Sequence, residues 1–355
     1  MAKMNKYDSQ HWRNQAAYER QVDAIYRAAA KEAAALGVSI KDFNPDRLFS
    51  FSDYPNTRKK IEKLLSDLQT GIMAVIVNGI RSEWTLANQK NDELARQVFG
   101  DNVGKLTKEQ ERRYFSTNGA ARDAFIKRKT DGLGLSDRVW KYTNQFKDEI
   151  ELGLDLGIRS GRSADELSRD LRSYLQHPDK LFRRVRNKHG QLVLSQRARA
   201  YHPGRGVYRS SYKNARRLAA TETNIAYRTA DYERWQQFDF VVGIEIKLSN
   251  NHPEPDICDD LKGRYPKDFK FTGWHPHCRC HVETVLKTPD ELIADNRRIM
   301  EGGKPTETSV NTVADVPQAF TDWVEANRER SPYHTSSAIT ANMLSARPKR
   351  QLRAS

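Results

Sequence analysis

The run His275-Pro276-His277-Cys278-Arg279-Cys280-His281, with Asp256-Ile257-Cys258-Asp259-Asp260-Leu261 a short way before it, holds all three cysteines of a 355-residue chain. Side chains two apart in a strand project to one face, so the thiols of Cys278 and Cys280 are expected on one side, and Arg279, His281 and Glu283 on the other. Three cysteines, two of them separated by a single residue, do not make the disulfide framework of a secreted protein, which leaves reduced thiols or metal ligands. With Cys258 delivered from the preceding loop, three thiolates could bind Zn²⁺ tetrahedrally, the fourth ligand coming from His277, His275, His252 or Asp256. The competing reading makes Cys278, Cys280, Val282 and Val285 small core residues and His277 a hydrogen-bonded loop anchor.

Working back from the cysteines, Phe240, Val242, Ile244, Ile246 and Leu248 alternate with Val241, Gly243, Glu245 and Lys247, the period of a strand, and Asn250-Asn251 turns the chain. Before the strand a long helix is expected from about Ser210 to Phe238. Ala215, Ala219, Glu222, Ala226 and Ala230 share one of its faces, so Glu222 lies in a strip of small residues where another backbone can approach. A carboxylate buried there needs a partner, and Arg279 is the candidate. Glu222 facing solvent, or acting as a catalytic acid, are the alternatives.

The order of these pieces resembles the phage Mu F-like family of head morphogenesis, or minor head, proteins. The pieces are Arg217-Leu218-Ala219-Ala220-Thr221-Glu222 on a helix, a strand, Cys258 with Lys262-Gly263, and His275-Pro276-His277-Cys278-Arg279-Cys280. The likeness covers about residues 140 to 287. It departs from the family where the first cysteine of the Cys-x-x-Cys loop is Pro255, which excludes a four-cysteine metal site. The resemblance implies a virion component of low copy number at the portal vertex, entering the procapsid during assembly and in some members binding DNA. Portal and other head proteins would be its partners, with double-stranded DNA a further one; it would be found in the virion and, during assembly, in the host cytoplasm.

The charge is distributed in a way compatible with such partners. The chain carries +14 formally, and the tract from Lys180 to Arg217 contains twelve basic residues and no acidic one. These are Lys180, Arg183, Arg184, Arg186, Lys188, Arg197, Arg199, Arg205, Arg209, Lys213, Arg216 and Arg217, interleaved with Phe182, Tyr201, Tyr208 and Tyr212. A tract of one sign repels itself unless a polyanion or an acidic partner relieves it. Within it, Phe182 to Arg186 and Leu192 to Leu194 flank Lys188-His189-Gly190, which reads as a basic β-hairpin.

The first half reads as helix throughout: residues 8 to about 36, a second helix after Pro55 with an apolar stripe from Ile61 to Ile80, and further helices at about 83–99, 107–129 and 136–158. Gly161 ends the last of these, and Ser163-Ala164-Asp165-Glu166 is a capping box for a helix to about Leu175. After residue 287 come a polar helix, the linker Gly302-Gly303-Lys304-Pro305, a short helix with Trp323 and Val324, and a basic tail from Arg347 to Arg353. The expected class is α+β, divided into a helical region 1–135, a Mu F-like module 136–287 and a polar extension 288–355. No window has the roughly 20 apolar residues of a membrane span. Gly204-Arg205-Gly206 lacks the third glycine and the strand-turn-helix setting of a dinucleotide site, and no nucleophile stands beside a paired base. A non-enzymatic role is therefore expected, with a metal-dependent nuclease or toxin-like effector as the alternative.

Overall fold

A computed structural model describes residues 5–41, 44, 47–159, 161–178, 184–186, 188–194, 208–249, 255–275 and 278–327. Lys180, Phe182, Arg183, Arg197, Arg199, Tyr201, Arg205, the Asn250-Asn251 turn, His252, His277 and the tail from Arg347 lie outside the described residues, as do the side chains of Arg184 and Arg186. The chain forms two compact units, one of Met1–Arg13, Ile80–Phe125 and Thr221–Ser355, the other of Asn14–Gly79 and Ile126–Ala220.

Helix α1 spans Lys6–Val38 and α2 spans Pro55–Phe99. The expected break near residue 81 is absent: no glycine or proline separates Ile80 from Glu83, and buried Ile76, Ile80, Glu83 and Trp84 keep the inward stripe in phase. The single helix expected over 107–129 is instead two, α3 at Lys108–Tyr114 and α4 at Gly119–Lys127. Asn118, with φ +48°, takes the left-handed conformation that asparagine tolerates, and its N–H donates to Ser116 Oγ at 3.3 Å.

In the unit of residues 14–79 and 126–220, α5 (Leu135–Arg159) ends before Gly161, whose φ is +64°. Ser163 and Glu166 cap α6 (Ala164–Gln176) reciprocally, as the sequence predicts. Buried acids of α5 are satisfied by backbone donors. Glu151 accepts from Phe51 N at 2.9 Å, Asp155 from Phe49 N at 2.9 Å, and Glu149 from Ser211 N at 2.8 Å. The basic hairpin forms as β1 (Arg184–Arg186) against β2 (Leu192–Leu194), with Val185 opposite Val193. The end of the basic tract is tied down where Asn214 exchanges two hydrogen bonds with the Tyr208 backbone and Tyr174 Oη donates to Arg209 O.

Helix α7 runs Ser211–Gln237 and leads into β3 (Val241–Lys247). The Cys258 segment, expected as a loop, is a one-turn helix α8 (Ile257–Leu261) followed by β4 (Gly263–Tyr265). The last strand, β5 (His281–Leu286), begins just after the cysteines. The three strands form an antiparallel sheet in the order β4-β3-β5, with Ile244 opposite Tyr265 on one side and Thr284 on the other. The α+β expectation holds at this level. Residues beyond 287 join the core: α9 (Pro289–Met300) and α10 (Gln318–Ala326) bury Ile299 and Phe320 with Tyr265, Phe269 and Trp274. In the same unit, Asp8, Lys90, Tyr227 and Asp231 form a buried polar network, Lys90 Nζ lying 2.5 Å from Asp231 and Tyr227 Oη donating to Asp8 at 2.7 Å.

Candidate metal centre

The site starts from the end of α8. Asp256 is its N-cap, accepting from Cys258 N at 2.6 Å, while Asp259 three residues on accepts from Asp256 N. This cap turns Cys258 and Leu261 inward, and Tyr265 Oη locks the other end by donating to Leu261 O at 2.7 Å. On the opposite side a turn in which Cys278 N donates to His275 O presents Cys278 and Cys280. Alternation persists although these residues precede the strand proper: Cys278 and Cys280 are 0% and 4% exposed, and Arg279 between them is exposed.

The three thiols meet. Cys258, Cys278 and Cys280 are all buried, with their sulfur atoms within 4.8 Å of one another, and Cys258 Sγ lies 3.8 Å from Cys278 Sγ. A second triad shares Cys258: His275 Nε2 stands 3.1 Å from its sulfur and 3.2 Å from Asp256 Oδ2, and both partners of the cysteine are part-exposed. Soft, buried sulfur donors beside an imidazole and a carboxylate form a donor set that could hold a metal ion.

Proton affinities within the cluster are uneven. Hydrogen bonds from Cys258 and Cys280, with the Arg228 guanidinium nearby, hold the Cys278 thiol well below its usual range despite burial. The bond that Cys258 gives Cys278 pushes Cys258 up. Cys280 is pulled down by Cys258 but raised more by Cys278 and burial, and stands at about 12.

The connection from α7 to the cysteines is not the one expected. Glu222 is buried, as its strip of alanines predicts, but Arg279 is not its buried partner, because the alternation that turns both thiols inward turns Arg279 outward. The link runs through Arg228. Its Nη2 donates to Cys278 O and Cys280 O, both at 2.9 Å, and its guanidinium stacks on Phe271, 4.6 Å from the ring centre. Asn224, one turn earlier on the same face, directs its amide to Cys278 O at 3.4 Å. The sequence signal for this pair was an asparagine and an arginine at i and i+4 on the helix side opposite the alanine strip, a side they share with Thr221, Tyr227 and Asp231.

Of the remaining motif residues, Thr221 is half-buried, and Arg217 is half-buried with its guanidinium 5.2 Å from the Tyr208 ring centre. Lys188 and Arg209 of the basic tract are exposed, and Lys213 is half-buried in the first turn of α7. Among the described residues no helix is long and apolar enough to cross a membrane. No protein-family model matches the chain, and no curated protein or solved structure is significantly similar to it.

Proposed function

We propose that this chain is a phage minor head protein of the Mu F-like type, a low-copy virion component at the portal vertex that acts in capsid assembly or in DNA packaging and ejection. One observation carries the reading. The pieces that resemble that family lie far apart in sequence, yet the part of α7 after Thr221, the Cys258 segment with Gly263, and Cys278-Arg279-Cys280 belong to one unit and converge on one buried thiol cluster. A chance Cys-x-Cys would have no reason to meet a third cysteine 20 residues away.

We further propose that the cluster holds one structural Zn²⁺. Sulfurs 2.3 Å from a tetrahedral zinc are about 3.8 Å apart, and Cys258 and Cys278 are separated by 3.8 Å. Such an ion would staple α8 to the segment before β5, a role suited to a three-stranded sheet with few residues of its own. Exposed Lys188 and Arg209 and the rest of the basic tract would face packaged DNA or an acidic portal surface.

Quantitative mass spectrometry of density-purified particles, calibrated against major capsid and portal proteins, tests the virion assignment. A few copies per particle is the expected result. Absence from particles overturns it and favours the phage-encoded nuclease or effector.

A further inference from the structure

Arg228 is an anomaly within the Thr221–Ser355 unit. Its side chain is buried, with the residue 6% exposed, and among the described residues no carboxylate lies within 4 Å of its guanidinium. Its hydrogen bonds go to two carbonyls, and the other amino group, Nη1, is buried with no hydrogen-bond partner at all. A buried cation left without a counter-charge is strongly disfavoured. Other buried or largely buried cations described in this unit do have acids: Arg234 pairs with Asp92 at 2.8 Å, Lys287 with Asp295 at 2.6 Å, and Lys90 with Asp231 at 2.5 Å.

The surroundings of Nη1 point to what balances it. Gly273, with φ +107°, lies where the guanidinium meets the cysteines: a Cβ there would be 3.0 Å from Nη1 and 3.3 Å from Cys278 Cβ. Among the described residues, the groups placed against Arg228 are the Phe271 ring, the carbonyls of Cys278 and Cys280, the Gly273 backbone and, against that backbone, Cys278 of the thiol cluster. None of the first four carries charge.

We propose that Arg228 is the built-in counter-ion of a monoanionic metal centre, a divalent cation held by the thiolates of Cys258, Cys278 and Cys280 with a neutral fourth donor. Three thiolates around a divalent ion leave one negative charge, which one guanidinium cancels. The charge count also selects the fourth ligand. A carboxylate from Asp256 would make the centre dianionic beside a single arginine, whereas an imidazole keeps it at one; His275 Nε2 lies 3.1 Å from Cys258 Sγ, in a donor group with Asp256 that shares only Cys258 with the three-thiol group, and would swing onto the ion as it binds. Asp256 then retains its place as the cap of α8, with Oδ1 on Cys258 N.

This inference rests on the zinc reading, and the experiment separates the two. The full-length reduced protein is stripped of metal and titrated with Co²⁺, followed by thiolate-to-cobalt charge transfer and ligand-field absorption, and Zn²⁺ affinity is then measured against a chromophoric chelator. Wild type is expected to take up one ion with a tetrahedral three-thiolate spectrum; no uptake overturns both readings. Arg228→Gln is expected to weaken Zn²⁺ binding about 10- to 100-fold, with Arg228→Lys, which keeps the charge but loses the fork, recovering most of the loss. Equal affinity in wild type and Arg228→Gln, or equal losses in the Gln and Lys variants, leaves zinc in place and overturns the counter-ion role. Should Arg228→Gln fail to fold, Arg228→Lys against wild type decides, near-equal affinity supporting the proposal and a full 10- to 100-fold loss overturning it. His275→Ala is expected to shift the ligand-field bands while Asp256→Asn leaves them in place, and the reverse pattern overturns the neutral-donor assignment.

Discussion

Arg234 illustrates how one side chain can hold a unit together through geometry that no neighbour in sequence announces. Its side chain is fully buried and donates to Asn88 Oδ1 at 3.2 Å, Asp92 Oδ1 at 2.8 Å, and the carbonyls of Ser116 and Tyr114. The fork thereby ties α7 to α2 and to the Asn118 break between α3 and α4. Because truncation would leave a carboxylate and buried carbonyls unpaired, Arg234→Met is expected to destabilise the protein by roughly 3 to 5 kcal/mol. Arg234→Lys should recover little of this, since a point charge cannot serve acceptors in two directions. Urea unfolding of the two variants checks this, and a loss under about 1 kcal/mol for Met would show that the fork is dispensable.

At the scale of elements, local chemistry sets the ends of helices and tertiary packing sets their continuity. The capping boxes at Ser163 and Thr288 follow from four-residue patterns, because a hydroxyl and a carboxylate three residues apart can satisfy two free N–H groups whatever lies around them. At Thr288 the box has acquired a second duty. Glu291 accepts from Ser309 Oγ at 2.6 Å, from Thr288 N at 2.9 Å and from Val310 N at 3.1 Å, so it fastens the 309–310 loop to the start of α9. The Ser309 bond, then the Thr288 backbone, lower its carboxyl to about 2 from an ordinary 4.5. A depressed carboxylate contributes stability that is present above the unfolded value and lost as the pH falls through the folded one. Amide exchange at Val310 is therefore expected to accelerate between pH 4.5 and about 2 beyond the intrinsic trend, and Glu291→Gln should show fast exchange already at neutral pH. A variant indistinguishable from wild type would remove Glu291 as the fastener.

At the scale of the whole molecule, the question is what the basic tract meets. If about half of the twelve basic residues between Lys180 and Arg217 touch phosphates, binding to duplex DNA should fall with salt on a log-log slope of about −5, with little sequence preference. A flat response would assign the tract to an acidic protein surface. The same preparation, incubated with plasmid and divalent metals, addresses the nuclease alternative: the histidines near Cys278, His275 and His277, would be its metal-facing groups, and intact plasmid is expected.

Much of this was legible beforehand, and what was not has a common cause. The helix periods, the hairpin around Gly190, the strand at 241–247, the Ser163 cap and the inward pairing of Cys278 with Cys280 all depend on neighbours within a few residues, whose spacing dictates which face a side chain takes. The meeting of Cys258 with those two thiols was one of two readings the sequence offered, metal ligands or small core residues, and both bring the three together. Tertiary structure alone decided that Arg228 rather than Arg279 joins α7 to the cysteines, that α2 continues unbroken, and that α9 and α10 complete the core. Each of these turns on which long-range surface pays the cost of burying a charge or an apolar face. The sequence names the residues that need such partners, and only the packed chain brings the partners to them.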